Sequence, residues 1–221
     1  MTHVSAAVAR CVAVILLAPH AAAAQSSAPT STKVSAGTPS QHAIPPRLAA
    51  RPVGGSEWVV GAGGAASVNL FQSKRGRHYV VQTVSWGREL TRDYGPGVLR
   101  GRFAWAIEVT PVFRELQPSR AYGIGVAPVL WRWNFVPRPR WSGFGEMAVG
   151  GLWSSAPIPE QTTRANFTAH WGAGVRIGGA RGRSLVLAYR FQHISNGNQL
   201  SSNPGVNSHL AFVGWSVSRR R

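Results

Sequence analysis

Ala165-Asn-Phe-Thr-Ala-His-Trp-Gly-Ala-Gly-Val-Arg-Ile177 decides the fold. Ala165, Phe167, Ala169, Trp171, Ala173, Val175 and Ile177 share one side, while Asn166, Thr168, His170, Gly172, Gly174 and Arg176 share the other. Period two is the signature of a strand, because successive side chains point to opposite faces. A run of this length is long for a globular strand but suits a tilted crossing of a bilayer. An earlier segment behaves in the same way. Phe103, Trp105, Ile107, Val109 and Phe113 alternate with Arg102, Glu108, Thr110 and Arg114.

Outward from these two, the chain divides into eight segments rich in aromatic, β-branched and glycine residues. They are Trp58–Phe71, His78–Leu90, Val98–Glu115, Ala121–Phe135, Trp141–Trp153, Arg164–Ile177, Ser184–Ser195 and Val206–Val217. Turn signals such as Asp93-Tyr-Gly-Pro-Gly97, Pro137-Arg-Pro-Arg140 and Asn196-Gly-Asn198 separate them. An even strand number and abundant tryptophan predict an all-β, eight-stranded antiparallel up-and-down outer-membrane β-barrel. A soluble lipocalin-like barrel carries the same alternation with its apolar face inward. Alternation alone does not separate the two.

The start of the chain favours the membrane. Arg10, the apolar run Val12–Ala18 and the small residues Ala21–Ala24 have the layout of a secretory signal over residues 1–24. Residues 25–54 are rich in Ser, Thr, Pro and Ala without periodicity and read as a linker, leaving 55–221 as the barrel domain. The only cysteine, Cys11, lies inside the signal, so the exported chain has neither a disulfide framework nor a cysteine metal site. A formal charge of +17 predicts an anionic partner. In an exported barrel the phosphates of the bacterial surface lipid fit better than nucleic acid.

No Gly-x-Ser-x-Gly elbow, phosphate-cradling glycine loop or His-Glu-x-x-His helix occurs in the sequence. Glu108 and Glu146 sit in alternating strands, where an acid/base pair is one reading and neutralisation of lumen arginines the favoured one. Tyr189-Arg-Phe-Gln-His-Ile-Ser-Asn-Gly197 is more informative. His193 and Ser195 are two apart and share a face, above Tyr189 and Phe191. An imidazole beside a hydroxyl can take its proton and make it a nucleophile. Asn196 or nearby backbone amides can supply donors to the resulting oxyanion. The plain alternative is that Ser-Asn-Gly merely ends a strand and begins a hairpin turn.

His193-Ile-Ser-Asn196, followed by Asn203-Pro-Gly-Val-Asn-Ser208, resembles the end of the PagL-type lipid A deacylases, also called acyloxyacyl hydrolases. Ile158-Pro-Glu160, Asn166-Phe-Thr168, Gly172-Ala-Gly174 and Glu146 within Phe144–Gly151 are similar to the same family, so the likeness covers roughly the second half of the chain. The resemblance implies a small outer-membrane barrel that removes an ester-linked acyl chain from lipid A, without a metal or organic cofactor. It places the nucleophile on Ser195, the base on His193 and the oxyanion donor on Asn196. The family's acidic residue on the following strand has no counterpart, since no Asp or Glu follows Glu160. Asn207 stands there instead, with Ser208 beside it. Asparagine can orient a histidine but cannot stabilise an imidazolium by charge. Glu146 is the nearest alternative acid by strand order.

With both termini periplasmic, odd strands run outward and His193 and Ser195 lie at the outer-leaflet end. Leu185, Leu187, Tyr189 and Phe191 then face lipid, while Arg190 and Gln192 face the lumen. Lys74, Arg75 and Arg77 fall in an outward loop, where they either hold lipid phosphates or form a solvated charge run. The other functional classes are a noncatalytic barrel for surface binding or envelope integrity, and a soluble lipocalin-like carrier.

Overall fold

The computed structural model describes residues 51–71, 73–178, 182–201 and 203–219. The signal and most of the linker lie outside the described residues. Eight antiparallel strands follow one another: β1 (Ser56–Val68), β2 (His78–Glu89), β3 (Gly101–Gln117), β4 (Tyr122–Phe135), β5 (Trp141–Ser154), β6 (Ala165–Gly178), β7 (Arg183–Ser195) and β8 (Val206–Arg219). Each pairs with its neighbour in sequence, and β1 pairs with β8 from Ser56↔Arg219 to Val68↔Asn207. Closure leaves no strand edge exposed, so the backbone satisfies its own hydrogen bonds where no water is at hand. Connections 90–100, 136–140 and 179–182 share the end that carries Ser56 and Arg219. Connections 69–77, 118–121, 155–164 and 196–205 share the opposite end.

The outer wall is apolar. Trp58, Val60, Ile124, Phe167 and Trp171 are exposed there, each at least half accessible. Trp58, Trp86, Trp105, Trp133, Trp141 and Trp215 gather in the half nearest Ser56 and Arg219, as Trp58↔Trp86 and Phe103↔Trp133 show. That is an interfacial girdle of amphipathic rings. A lipocalin-like carrier would place these groups inside, and this arrangement corrects that alternative. The predicted faces of β6 hold throughout, with Asn166, His170 and Arg176 buried inward.

Inside, the half nearest the termini is charged. Arg190 binds Glu108 through two contacts of 2.9 Å and Glu146 at 2.8 Å. Arg132 binds Glu146 at 2.6 Å and Glu57 at 3.4 Å. Arg176 makes two 2.9 Å bonds to Glu57, and Arg51 reaches Glu57 and Glu89 at 2.5 Å. These contacts form one connected lattice with residues from β1 to β7. A buried charge survives only when paired and hydrogen-bonded, and the lumen is filled by pairs. Glu108 and Glu146 thus neutralise lumen arginines, the favoured expectation. The opposite half is apolar around the buried Arg77–Glu115 pair, with Tyr79 stacked at 5.0 Å on Phe113 near Ile194 and Leu210. In the charged half, Gly174 makes room for the Phe144 ring that Arg132 and Arg176 cover: a Cβ there would lie 2.5 Å from Phe144 Cζ.

One face assignment is corrected. Phe113 was expected beside Val109 on the outer wall, but it is 2 % exposed and lies within the lumen. The β3–β4 register shifts between Thr110 and Phe113, and the β2–β3 register shifts opposite the same stretch. A bulge adds a residue to one strand and reverses the facing of everything beyond it. Glu115 is therefore buried inward, and Arg114 turns outward over the Tyr122 ring at 5.0 Å.

Candidate active site

β7 carries Ser184, Val186, Arg190 and Ile194 inward, and Leu185, Leu187, Tyr189, Phe191, His193 and Ser195 on the other face. β8 carries Asn207, His209 and Ala211 on the same outer wall. The pairing sets His193 opposite Asn207 and Ser195 opposite Phe167. His193, Ser195 and Asn207 therefore meet on the outer wall, at the end away from the termini. Strand parity alone had placed the first two there.

His193 Nδ1 lies 2.7 Å from Asn207 Oδ1. The Asn207 Nδ2 donates to the Leu70 carbonyl at 2.9 Å. A carboxamide has one oxygen and one nitrogen, and the carbonyl of Leu70 accepts only. The amide orientation is thereby set, and Asn207 Oδ1 must receive a proton from His193 Nδ1. That tautomer leaves Nε2 as the acceptor, the state needed by a base. Gly205 packs against the other side of the ring. It has φ +60°, and a Cβ on it would lie 3.0 Å from His193 Cε1.

Ser195 is 8 % exposed, and its hydroxyl makes no hydrogen bond among the described residues. Asn196 is fully buried. Its backbone N–H donates to Asn203 Oδ1 at 3.1 Å, and its own Oδ1 accepts from the Asn198 N–H at 3.0 Å. The backbone amide and the carboxamide oxygen of Asn196 are thus both engaged within the loop. Asn203 also donates to Asn198 Oδ1 at 2.9 Å, so three asparagines brace connection 196–205.

No carboxylate joins this cluster. Glu146 is held in the lumen by Arg132 and Arg190, which excludes it as the acid for His193. Glu57, Glu89, Asp93, Glu108, Glu115 and Glu160 are likewise each paired with an arginine. Arg77 is one of those arginines: it is buried, bonded to Glu115 at 2.5 Å and to Glu160, and so does not reach outward for a phosphate. Lys74 and Arg75 are exposed in the same connection. Among the described residues no group of His, Asp and Glu gathers as a metal site.

Sequence reasoning missed two partners. Leu70 contributes only a backbone carbonyl, which no side-chain pattern reports. His209 lies below Asn207, with its Nδ1 2.5 Å from the Tyr189 hydroxyl and its ring 5.6 Å from Phe191. Only the β7–β8 register brings these together. Below them the outer wall recedes at Ala62, Gly64 and Ala211 between Val80, Leu187 and Tyr189, forming an apolar groove of about 770 Å³.

The family model for the lipid A 3-O-deacylases (PagL) matches residues 62–216. Among solved structures, the outer membrane enzyme PagL is 17 % identical, with a TM-score of 0.51 over 72 % of this chain and 98 % of that one. Neisserial surface protein A (NspA) is 15 % identical, with a TM-score of 0.51 over 73 % of this chain and 96 % of that one. Both show the shared barrel fold. Comparison with curated proteins finds no match. With a family match running from β1 to β8, over a closed barrel whose apolar wall faces outward, this outer-membrane chain belongs to the lipid A 3-O-deacylase (PagL) family.

Proposed function

We propose that the chain is a serine esterase that removes an ester-linked acyl chain from lipid A within the outer leaflet. The observation that carries this reading is the 2.7 Å contact from His193 to an asparagine whose own amide is anchored on Leu70, on the wall that carries Ser195. Ser195 Oγ attacks the ester carbonyl as its proton passes to His193 Nε2. The tetrahedral oxyanion receives the Asn196 carboxamide N–H. Collapse expels the sugar oxygen, which takes the proton back from His193. Water then enters by the reverse sequence, cleaves the acyl-serine ester and frees the fatty acid. Asn207 holds the tautomer throughout. The missing Ser195–His193 bond is one that a substrate-free site forms on binding. The groove beneath Tyr189 suits an acyl chain, and Lys74 and Arg75 at the rim suit the lipid phosphates. Family membership favours the 3-O-linked chain as the one removed.

A noncatalytic surface barrel is the second reading. It is supported by the absent carboxylate and by an equal structural likeness to NspA. Lipid A mass spectrometry separates the two. The chain and its Ser195→Ala variant are each expressed in the outer membrane of a Gram-negative host. Loss of one acyl chain with the parent alone supports the esterase. Unchanged lipid A with a folded parent supports the noncatalytic barrel.

A further inference from the structure

The internal pairs consume the acidic residues, so many surface cations have no carboxylate partner. Among the described residues, Arg92, Arg100, Arg138, Arg140, Arg183 and Arg219 are exposed and make no ion pair. All six lie at the end that carries the termini. Arg92 and Arg100 belong to connection 90–100, Arg138 and Arg140 to 136–140, Arg183 opens β7, and Arg219 closes β8. They are therefore spread around one rim of the barrel. The acids at that end are already held, Asp93 by Arg102 and Glu89 by Arg51. The tryptophan girdle begins directly beside the ring: Arg140 precedes Trp141, and Arg138 stacks over the Trp141 ring at 5.4 Å.

Tryptophans mark the membrane–water boundary, so guanidinium groups next to them stand at headgroup depth. Two of the three connections at this end are short (136–140 and 179–182, against 90–100), whereas three of the four at the other end are long (69–77, 155–164 and 196–205, against 118–121), which marks this end as the periplasmic one. A one-sided patch would suit a soluble polyanion, whereas cations spread around the rim match a planar layer of phosphates. A guanidinium binds phosphate oxygens in a two-pronged geometry, and attraction to an anionic surface is short-ranged and screened by salt. We propose that this arginine ring holds the phosphates of anionic glycerophospholipids in the periplasmic leaflet. Such lipids form a fixed collar around the barrel foot.

The test is native mass spectrometry of the full chain extracted gently from host outer membranes. Phosphatidylglycerol and cardiolipin should be retained about threefold above their share of the membrane, relative to phosphatidylethanolamine. A variant with Arg100→Gln, Arg138→Gln, Arg140→Gln and Arg183→Gln should lose that enrichment. A variant with Arg114→Gln, Arg120→Gln and Arg164→Gln, at the opposite end, should keep it. No enrichment in the parent, or equal enrichment in the first variant, overturns the proposal. Should the first variant fail to fold, the parent is melted in phosphatidylcholine vesicles with and without phosphatidylglycerol. A higher midpoint with the anionic lipid, abolished by high salt, supports the collar, and equal midpoints overturn it. Ser195 has no part in these readouts, so the result is independent of the esterase reading.

Discussion

Asn207 does two jobs with one amide, accepting from His193 and donating to Leu70. Asn207→Asp would supply the charge that stabilises an imidazolium, but it would also set an oxygen without a proton against the Leu70 carbonyl. The expected result is faster acyl release, by about tenfold, from a barrel destabilised by about 1–3 kcal/mol. Turnover on purified lipid A and urea unfolding read the two effects separately. A drop in turnover to the level of Asn207→Ala would show that orientation alone matters. Gly205→Ala brings a Cβ onto the imidazole at a left-handed φ. Deacylation should fall at least tenfold while stability changes by about 1 kcal/mol. That His193 and Ser195 share the outer wall was legible from strand parity, and the family resemblance pointed to Asn207 as their neighbour. The Leu70 carbonyl was not, because a backbone group 137 residues away along the chain leaves no mark in local sequence. The Tyr189–His209 bond depends on register, which local sequence also does not state.

The strands were readable wherever their alternation is unbroken, as in β6. In β3 the same rule failed beyond Thr110, because a bulge inserts a residue without changing the composition. Pro111 lies within that shift and has no N–H to give to the ladder, a local cue that composition and alternation did not reveal. The bulge makes a testable distinction between neighbours. Phe113 is packed on Tyr79 within the lumen, while Val112 is exposed on the outer wall. Phe113→Ala should cost about 3–5 kcal/mol in urea titrations of the vesicle-inserted barrel, and Val112→Ala well under half of that. Equal costs would place both side chains in similar surroundings and contradict the shifted register.

Across the whole molecule, the sequence's strong positive charge conceals an orderly partition. Carboxylates are spent inside or at the mouth of the lumen, and unpaired cations are left at the two rims. Composition alone gave the surplus without its location. Arg190 ties Glu108 of β3 to Glu146 of β5 from its place on β7. Arg190→Met strands the buried Glu108 and leaves Glu146 to Arg132 alone, and should lower stability by about 3–5 kcal/mol. Adding Glu108→Gln and Glu146→Gln should recover much of the loss, because neutral amides tolerate the same site better. Heat-modified mobility on gels and urea midpoints report both. A triple variant no more stable than Arg190→Met would show that the lattice acts through shape rather than charge.

The clamp on His193 also crosses the junction of the first and last strands. Leu70 follows β1, Asn207 belongs to β8, and the Lys74 N–H donates to the Gly205 carbonyl at 3.1 Å across the same junction. This is the one strand pairing that must wait until the entire chain has been synthesised and delivered. A barrel caught open at that junction would hold its serine and histidine but leave Asn207 without its anchor. Histidine orientation is thus a product of completed assembly, and under the proposed esterase reading the chemistry would be silent during biogenesis and switched on by closure.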